Sequence, residues 1–285
     1  LFSNPEEIEI NYLIGGRNCS ATFAIAISEI AQTRKDCFSL HDVEKSDVVN
    51  VANASTAVGN VISFRTSDLS PLNTSYSALY ANWLYIYDKY NDKNRWVPST
   101  GYVAGIYANT ANVADAWFAP AGLNRGVMVG VIKTAFNPNK AYRDQMYQKQ
   151  VNPIVNFPGQ GIVVWGQKTL QTKPSSFDRV NVRLLFLYME RSISKSAQYM
   201  VFEQNDNLLR ATFLNMVEPF LQDIKGRRGV YDFFVDVSDK VNTPEVIDQN
   251  QFRAEIYVKP TRVAESIIIR FNATKTNVNF SEIAG

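Results

Sequence analysis

Short apolar runs and amphipathic stretches alternate along the whole chain, and their two periods separate strands from helices. Residues 8–14 alternate and are closed by Gly15-Gly16, which reads as a strand and a turn. Ser20 stands where it can cap a helix running to about Thr33, with Phe23, Ile27 and Ile30 on one face. Residues 36–40 read as the next strand, ending at His41-Asp42. Strand, helix and strand in this order predict a parallel pair joined by a crossover. A further helix is expected over residues 47–64, with Val51, Ala54, Val58 and Ile62 as its apolar stripe. Residues 68–75, rich in Ser, Pro and Asn, read as loop.

Residues 76–90 are strand-like, 91–94 form a turn, and Arg95-Trp96-Val97 returns, which predicts a hairpin. Pro98-Ser99 then opens a helix to about Asp115, whose Gly101, Ala104, Gly105 and Ala108 imply close packing against a neighbour. Ala119-Pro120-Ala121-Gly122 breaks the pattern, and a domain boundary is placed near Asn124. Beyond it come a short strand at 127–133, a polar helix at 139–149 and an apolar strand pair around Pro158-Gly159-Gln160-Gly161. A helix follows from Phe177-Asp178 to about Ser192, with Asp178 at or near its N-cap. Another spans 207–224, where Pro219 predicts a kink or an early break and Gly226 and Gly229 the end. Residues 231–237, 252–258 and 266–271 are strong strand runs, the last apolar on both faces as in a central strand covered on both sides. The expected fold class is α+β, or mixed α/β, in two domains, each a mixed β-sheet flanked by helices. They are an α/β unit over residues 1–125 and an α+β unit over 126–285 that ends in an extended tail.

Composition narrows the function classes. A length of 285 residues suggests about two domains, and 46% hydrophobic residues leave room for a sizeable core. The net charge of +2, from 29 basic and 27 acidic residues, gives no basic excess of the kind nucleic-acid binding needs. No apolar run approaches the ~20 residues that span a bilayer, and no signal peptide is visible. Leu1 in place of Met predicts a fragment or a processed product. Cys19 and Cys37 are too few for a disulfide framework and read as reduced, partly buried thiols.

Candidates for chemistry are sparse. His41 is the only histidine, so any Ser-His-Asp or Cys-His site would have to use it, and nothing around it resembles a nucleophile loop. One histidine and two cysteines do not match zinc spacing, and Asp88, Asp92 and Asp115 are not spaced as in a calcium loop. Gly159-Gln160-Gly161 is followed by a strand, so it is a hairpin turn and not a dinucleotide loop. The basic run Lys225-Gly226-Arg227-Arg228 reads as a helix C-terminus complementing its dipole. Arg179 and Arg183, four apart on one helix face, are candidates for a subunit contact. The polar tail after residue 271 carries spaced apolar anchors, Val278, Phe280 and Ile283, that can lie across a neighbouring subunit and extend its sheet.

Several strings carry a family resemblance. Residues 152–170 read NPIVNFPGQGIVVWGQKTL, and FDRVNVRLL opens the helix at Phe177. Upstream stand Asn82 to Asp92, the Pro98 to Gly105 segment, and the turn APAGLNRG from Ala119 to Gly126. Together they resemble the contractile tail sheath proteins of myovirus-type bacteriophages, well over residues 76–285 and more loosely over 6–45. One family arginine is replaced by Leu184. The chain resembles the C-terminal, inner portion of a sheath subunit, with a giant phiKZ-like phage as the expected source. The family's N-terminal arm is not recognised in it.

The resemblance implies a mechanical, non-enzymatic function with no cofactor. Subunits of that family stack as hexameric rings on a helix around a tail tube and contract to drive the tube through the host envelope. The implied partners are other sheath subunits, the tail tube protein, and baseplate and tail terminator proteins, with no direct nucleic-acid contact and no stable membrane insertion. The implied location is the phage tail in the virion, after assembly in the host cytoplasm. The expected inter-subunit strand and tail comprise Ile267, Ile269, Phe271, Val278, Phe280 and Ile283; the expected tube- or neighbour-facing residues are Arg179 and Arg183. Alternatives are the sheath of a bacteriocin or type VI secretion-like machine, and an α/β enzyme whose site escapes the motifs.

Overall fold

The computed structural model describes residues 2–265 and residue 267. Its first sheet grows by helical crossovers. β1 (Tyr12–Ile14) pairs in parallel with β2 (Phe38–Asp42), and α1 (Ala21–Arg34) connects them, as the alternation predicts. The single helix expected next is two, α2 (Lys45–Val48) and α3 (Ala54–Ser63), the latter running into a π-helical turn at Phe64–Asp68. Asparagines cause the break. Asn50 takes a φ of 63°, and the Asn53 side chain caps α3 by accepting from Thr56 N at 2.9 Å. β3 (Ser77–Ala81) then joins β2 in parallel.

The strand-like run of residues 76–90 is also two elements, because the chain changes sheets at Asn82. This side chain is fully buried. Its amide nitrogen donates to Phe136 O at 2.9 Å, and its carbonyl oxygen accepts from Trp83 N and Ala135 N, both at 3.0 Å. The corner's backbone groups are thereby satisfied without a ladder. β4 (Trp83–Asp88) and β5 (Lys93–Pro98) form the expected hairpin, its turn two residues earlier than predicted, with Asp92 at a φ of 47°.

α4 (Thr100–Val113) leads to β6 (Val127–Met128) and β7 (Val131–Thr134), then α5 (Lys140–Gln148), β8 (Val151–Phe157) and β9 (Gly161–Val164). β7 adds to the hairpin to make a three-stranded sheet, β5-β4-β7. β8 pairs in parallel with β3, while β9 and β6 continue antiparallel, so the first sheet is ordered β1-β2-β3-β8-β9-β6. This corrects the boundary expected near Asn124, since strands from both sides of it share one sheet. The turn at residues 119–126 is stitched to β9: Gly122 N donates to Val164 O, and Val164 N to Gly126 O, both at 2.9 Å. Ala104 of α4 packs against a core as expected, but Gly101 and Gly105 depart from expectation. A Cβ added at Gly101 or Gly105 would meet nothing within 4 Å, so they face an open groove.

After residue 170 come α6 (Val180–Ala197), α7 (Asn207–Gly226), β10 (Val230–Asp236), α8 (Pro244–Asp248) and β11 (Glu255–Pro260). β10 and β11 form a two-stranded antiparallel sheet. α7 passes through Pro219 without ending. The N-cap of α6 is Arg179, not Asp178, because residues 176–178 form a 3-10 turn capped by Ser175. Except for Ile267, the strand expected at 266–271 lies outside the described residues.

Three apolar clusters hold these layers. One lies between the first sheet and α1, α3 and α5, and includes Val58, Val61, Phe64, Leu79, Trp83 and Met146. The second lies on the opposite face, where Phe38, Leu40, Tyr80 and Ile154 meet Val103 and Tyr107 of α4 and Val180, Leu184 and Leu187 of α6. The third joins Leu185 and Met189 of α6 to Phe213, Val217 and Leu221 of α7 and Val230 and Val235 of β10. β2 and β3 are buried at every position, as parallel strands covered on both faces must be.

Burying β2 also buries His41 and Asp42. His41 Nε2 lies 2.8 Å from Ser28 Oγ and 3.1 Å from Ser39 Oγ, and Ser77 Oγ closes the cluster at 2.6 Å from Ser39 Oγ. Asp42 caps α4: Oδ1 accepts from Ser99 N and Oγ (2.9 and 2.5 Å), and Oδ2 from Thr100 N and Oγ1 (3.0 and 2.5 Å). Burial pushes His41 down to about 4 and Asp42 up to about 6, the latter against its four hydrogen bonds. Between about pH 4 and 6 the folded chain holds the Asp42 proton more tightly than the unfolded chain does, so that group's contribution falls as pH rises. For His41 the unfolded chain binds the proton more tightly there, so its contribution rises with pH. Asp42→Asn removes the falling part. In urea titrations across this window its stability should climb with pH more steeply than that of the parent; parallel profiles would show that Asp42 does not titrate in it. Asp42→Ala should lower stability at pH 7 by about 2 kcal/mol, from a lost cap and orphaned buried donors.

Candidate functional site

The 152–170 motif is a structural clamp. Asn152 is fully buried, donates from Nδ2 to Leu79 O (3.1 Å) and Lys168 O (2.7 Å), and accepts from Lys168 N at 2.6 Å. It ties β8 to β3 and to the loop after β9. Gly166 lets that loop approach, since a Cβ there would lie 2.9 Å from Asn152 Oδ1 and 3.0 Å from Tyr147 Cε2. Gly159 and Gly161 take φ values of 75° and 86° in the turn between β8 and β9. Phe157 and the half-exposed Trp165 meet edge to face at 4.8 Å.

Helix α6 and its N-cap carry the cations. Arg183 was expected to face outward, and this is corrected: it is 7% exposed. Its guanidinium lies between the rings of Tyr76 and Phe177, 4.2 and 4.1 Å from their centroids, and donates to Ser75 Oγ at 2.6 Å. Burial pushes its pKa down, opposed by Tyr76 and Glu190. Arg179 is partly exposed. It pairs with Asp178 at 2.9 Å, and its Nε donates to Glu265 Oε1 at 2.7 Å. The same carboxylate oxygen accepts from Tyr147 OH (2.9 Å) and Gln167 Nε2 (3.2 Å). Burial opposes the charge of Arg179, but Tyr147 and Glu265 outweigh it and raise its pKa.

Two turns from its C-terminus, α6 holds the start of the chain. Arg191 donates to Ile10 O (2.6 Å), Asp36 O (2.5 Å) and Asn11 Oδ1, and Lys195 pairs with Glu9. Arg34 of α1 completes this grip, forking onto both Asp36 oxygens at 2.8 Å and donating to the carbonyls of Phe2, Asn4 and Ile8. Sequence reading missed Glu265, Arg191 and Arg34. Glu265 and Arg179 are 86 residues apart and Arg191 and Ile10 are 181 apart, so no local signal marks the pairs.

The β10–β11 sheet presents a second feature. Phe233, Val235, Ile256 and Val258 pack into the third core, while Phe234 and Tyr257 stack on the outer face with centroids 6.2 Å apart. Phe234 is 60% and Tyr257 56% exposed. Each strand has one hydrogen-bonded neighbour among the described residues. Ile267, seven residues beyond β11, is exposed; Ile269, Phe271, Val278, Phe280 and Ile283 lie outside the described residues.

The remaining candidates are engaged in the fold. His41 is held in its serine cluster. The thiol of Cys19 is pushed up to about 12 by burial and by Asp42 and Glu44, and burial and Asp36 push Cys37 up to about 11, so both are inert thiols. Lys225 pairs with Asp232 at 2.9 Å, and Arg227 with Asp115 and Asp223 while lying over Trp117. Among the described residues no group of three or more His, Cys, Asp or Glu is placed to hold a metal ion, and no helix is long and apolar enough to cross a membrane.

Two family models match in tandem. The one for the phage tail sheath protein central domain matches residues 15–170, and the one for the phage tail sheath C-terminal domain matches residues 172–274. The chain belongs to the phage tail sheath family. The tail sheath protein of Vibrio phage KVP40 is 40% identical to this sheath chain over 304 residues, and that of Enterobacteria phage T4 is 36% identical over 296. Each match covers all of the sheath chain and 45% of the relative, so the chain spans about half the length of these curated relatives. Among solved structures, a chain of the anti-feeding prophage baseplate is similar with a TM-score of 0.75 at 23% identity, covering 95% of the sheath chain and 70% of that chain. The anti-feeding prophage helical sheath in its contracted state gives 0.73 at 24% identity, covering 94% and 72%. These two likenesses establish a shared fold.

The central-domain match ends where the clamp ends, at Leu170, whose carbonyl accepts from buried Arg65 at 3.0 Å. The clamp thus has a direct test in the sheath chain. Gly166→Ala should force Asn152 and Tyr147 aside and cost about 1–3 kcal/mol in urea unfolding. A variant as stable as the parent would show that the close approach is not required.

Proposed function

We propose that this chain is the inner part of a contractile phage tail sheath subunit, which assembles helically around the tail tube and contracts to drive the tube through the host envelope during genome delivery. The observation that carries the reading is the tandem match to two tail sheath domains across residues 15–274. The fold suits a mechanical part. Its buried polar groups, the Asn152 clamp, the Asp42 cap and the His41 cluster, stiffen one body and leave none of these side chains facing solvent. Heterologous contacts between such bodies that do not close on themselves generate a helical filament. The subunit works as part of the virion after assembly in the host cytoplasm, in hexameric rings, with the tail tube, baseplate and tail terminator as further partners. The phage assignment is favoured over a bacteriocin or secretion-like sheath by identities of 40% and 36% to phage tail sheath proteins.

The tail is the inter-subunit link in this proposal. Ile269, Phe271, Val278, Phe280 and Ile283 supply spaced apolar anchors, and the short β10–β11 sheet offers strand edges on which a neighbour's tail can add. Such a link keeps subunits joined while their other contacts change during contraction.

Electron microscopy of the complete gene product at high concentration tests the assignment. Helical tubes are expected; dispersed particles, even with a tail tube supplied as template, would refute it. Deleting residues 272–285 from the complete protein should abolish tubes and leave subunit unfolding unchanged. Normal tubes from that variant would remove the tail from the account.

A further inference from the structure

Both segments by which the chain enters and leaves the described body are fastened to one helix. At its N-cap, Arg179 grips Glu265, five residues past the end of β11, with Tyr147 and Gln167 donating to the same oxygen. Toward its other end, Arg191 and Lys195 hold Ile10, Asn11 and Glu9, just before β1. Sixteen residues separate Arg179 from Lys195, roughly 24 Å of helix axis. The helix between them cannot shift freely, because Val180, Leu184 and Leu187 are buried against the first sheet and Leu185 and Met189 in the third core.

We propose that α6 is a strut that fixes where the chain enters and leaves the described body, with Glu265 and Arg191 as its positioning residues. The proposal rests on the reading of the tail as an inter-subunit link. A link transmits subunit position only if its root is fixed. Residues 261–265 belong to no strand or helix, and Thr261 N, which donates to Gly229 O at 3.1 Å, is the last amide of this segment with a backbone partner among the described residues. Three donors converging on one carboxylate oxygen hold the rest of it instead, and one of them, Arg179, is charged. Arg191 plays the matching part at the opposite end, donating to two backbone carbonyls that belong to the incoming segment and to the approach to β2.

The two ends make separable predictions. In the unassembled complete protein, hydrogen exchange of the Thr261 amide, the bonded amide at the root of this segment, should rise about tenfold in Glu265→Ala, the effect of losing a charge-assisted grip. Exchange over residues 8–12 should stay unchanged. Arg191→Ala should show the reverse. Glu265→Gln keeps an acceptor for all three donors and should fall between parent and Glu265→Ala. In assembly, Glu265→Ala tubes should be irregular in pitch or absent while the Gln variant forms tubes with more regular pitch. Unchanged exchange at Thr261 in Glu265→Ala would overturn the strut, and so would loosened exchange with a parental tube lattice. These outcomes are distinct from failure of the link itself, which shows as normal tubes after deletion of residues 272–285.

Discussion

One helix buried in two cores holds this structure together. α6 places Val180, Leu184 and Leu187 against the six-stranded sheet and Leu185 and Met189 against α7 and β10. At ~2 kcal/mol for each fully buried side chain, these five residues stabilise the joint by on the order of 10 kcal/mol before ordering entropy is counted. Without α6, one face of the first sheet loses Val180, Leu184 and Leu187, and the α7–β10–β11 layer loses Leu185 and Met189. The two sheath domains are distinct matches along the sequence, and this packing makes them one body. The proposed mechanical role needs such a joint, since a hinge at residue 171 would absorb displacement.

Much of the fold was legible because its elements are amphipathic and close in sequence. The β1–α1–β2 unit, the β4–β5 hairpin and the β8–β9 turn follow from periodicity and from glycine at the turn. Legibility failed where one long-range polar contact overrides a local pattern. Asn82 turns a continuous alternation into two strands of two sheets, because its amide takes over the backbone pairing at the corner. The boundary expected near Asn124 failed for a related reason. The Ala-Pro-Ala-Gly break has the composition of a linker, but its backbone is hydrogen-bonded into β9.

The candidate site was legible in part. The 152–170 string carries a family resemblance but does not itself show what fixes its residues. The structure supplies that cause in Asn152, bonded to β3 and to the loop after β9, and in Gly166 packed against it. Arg183 shows the opposite lesson. Arginine on a helix face suggests an outer contact, yet here the guanidinium is stacked between two aromatic rings inside the subunit. Nothing in its immediate sequence separates these fates, since Tyr76 lies more than a hundred residues upstream.

The joint formed by α6 is tested most directly by hydrogen exchange of the folded chain across a urea series, read at β3 and at α7. If α6 unites the cores, the most protected amides of both elements exchange through the same unfolding transition, and Leu185→Ala lowers the two midpoints together. If α7 exchanges at distinctly lower urea while β3 stays protected, the two domains unfold independently and the account of α6 as their common member is wrong.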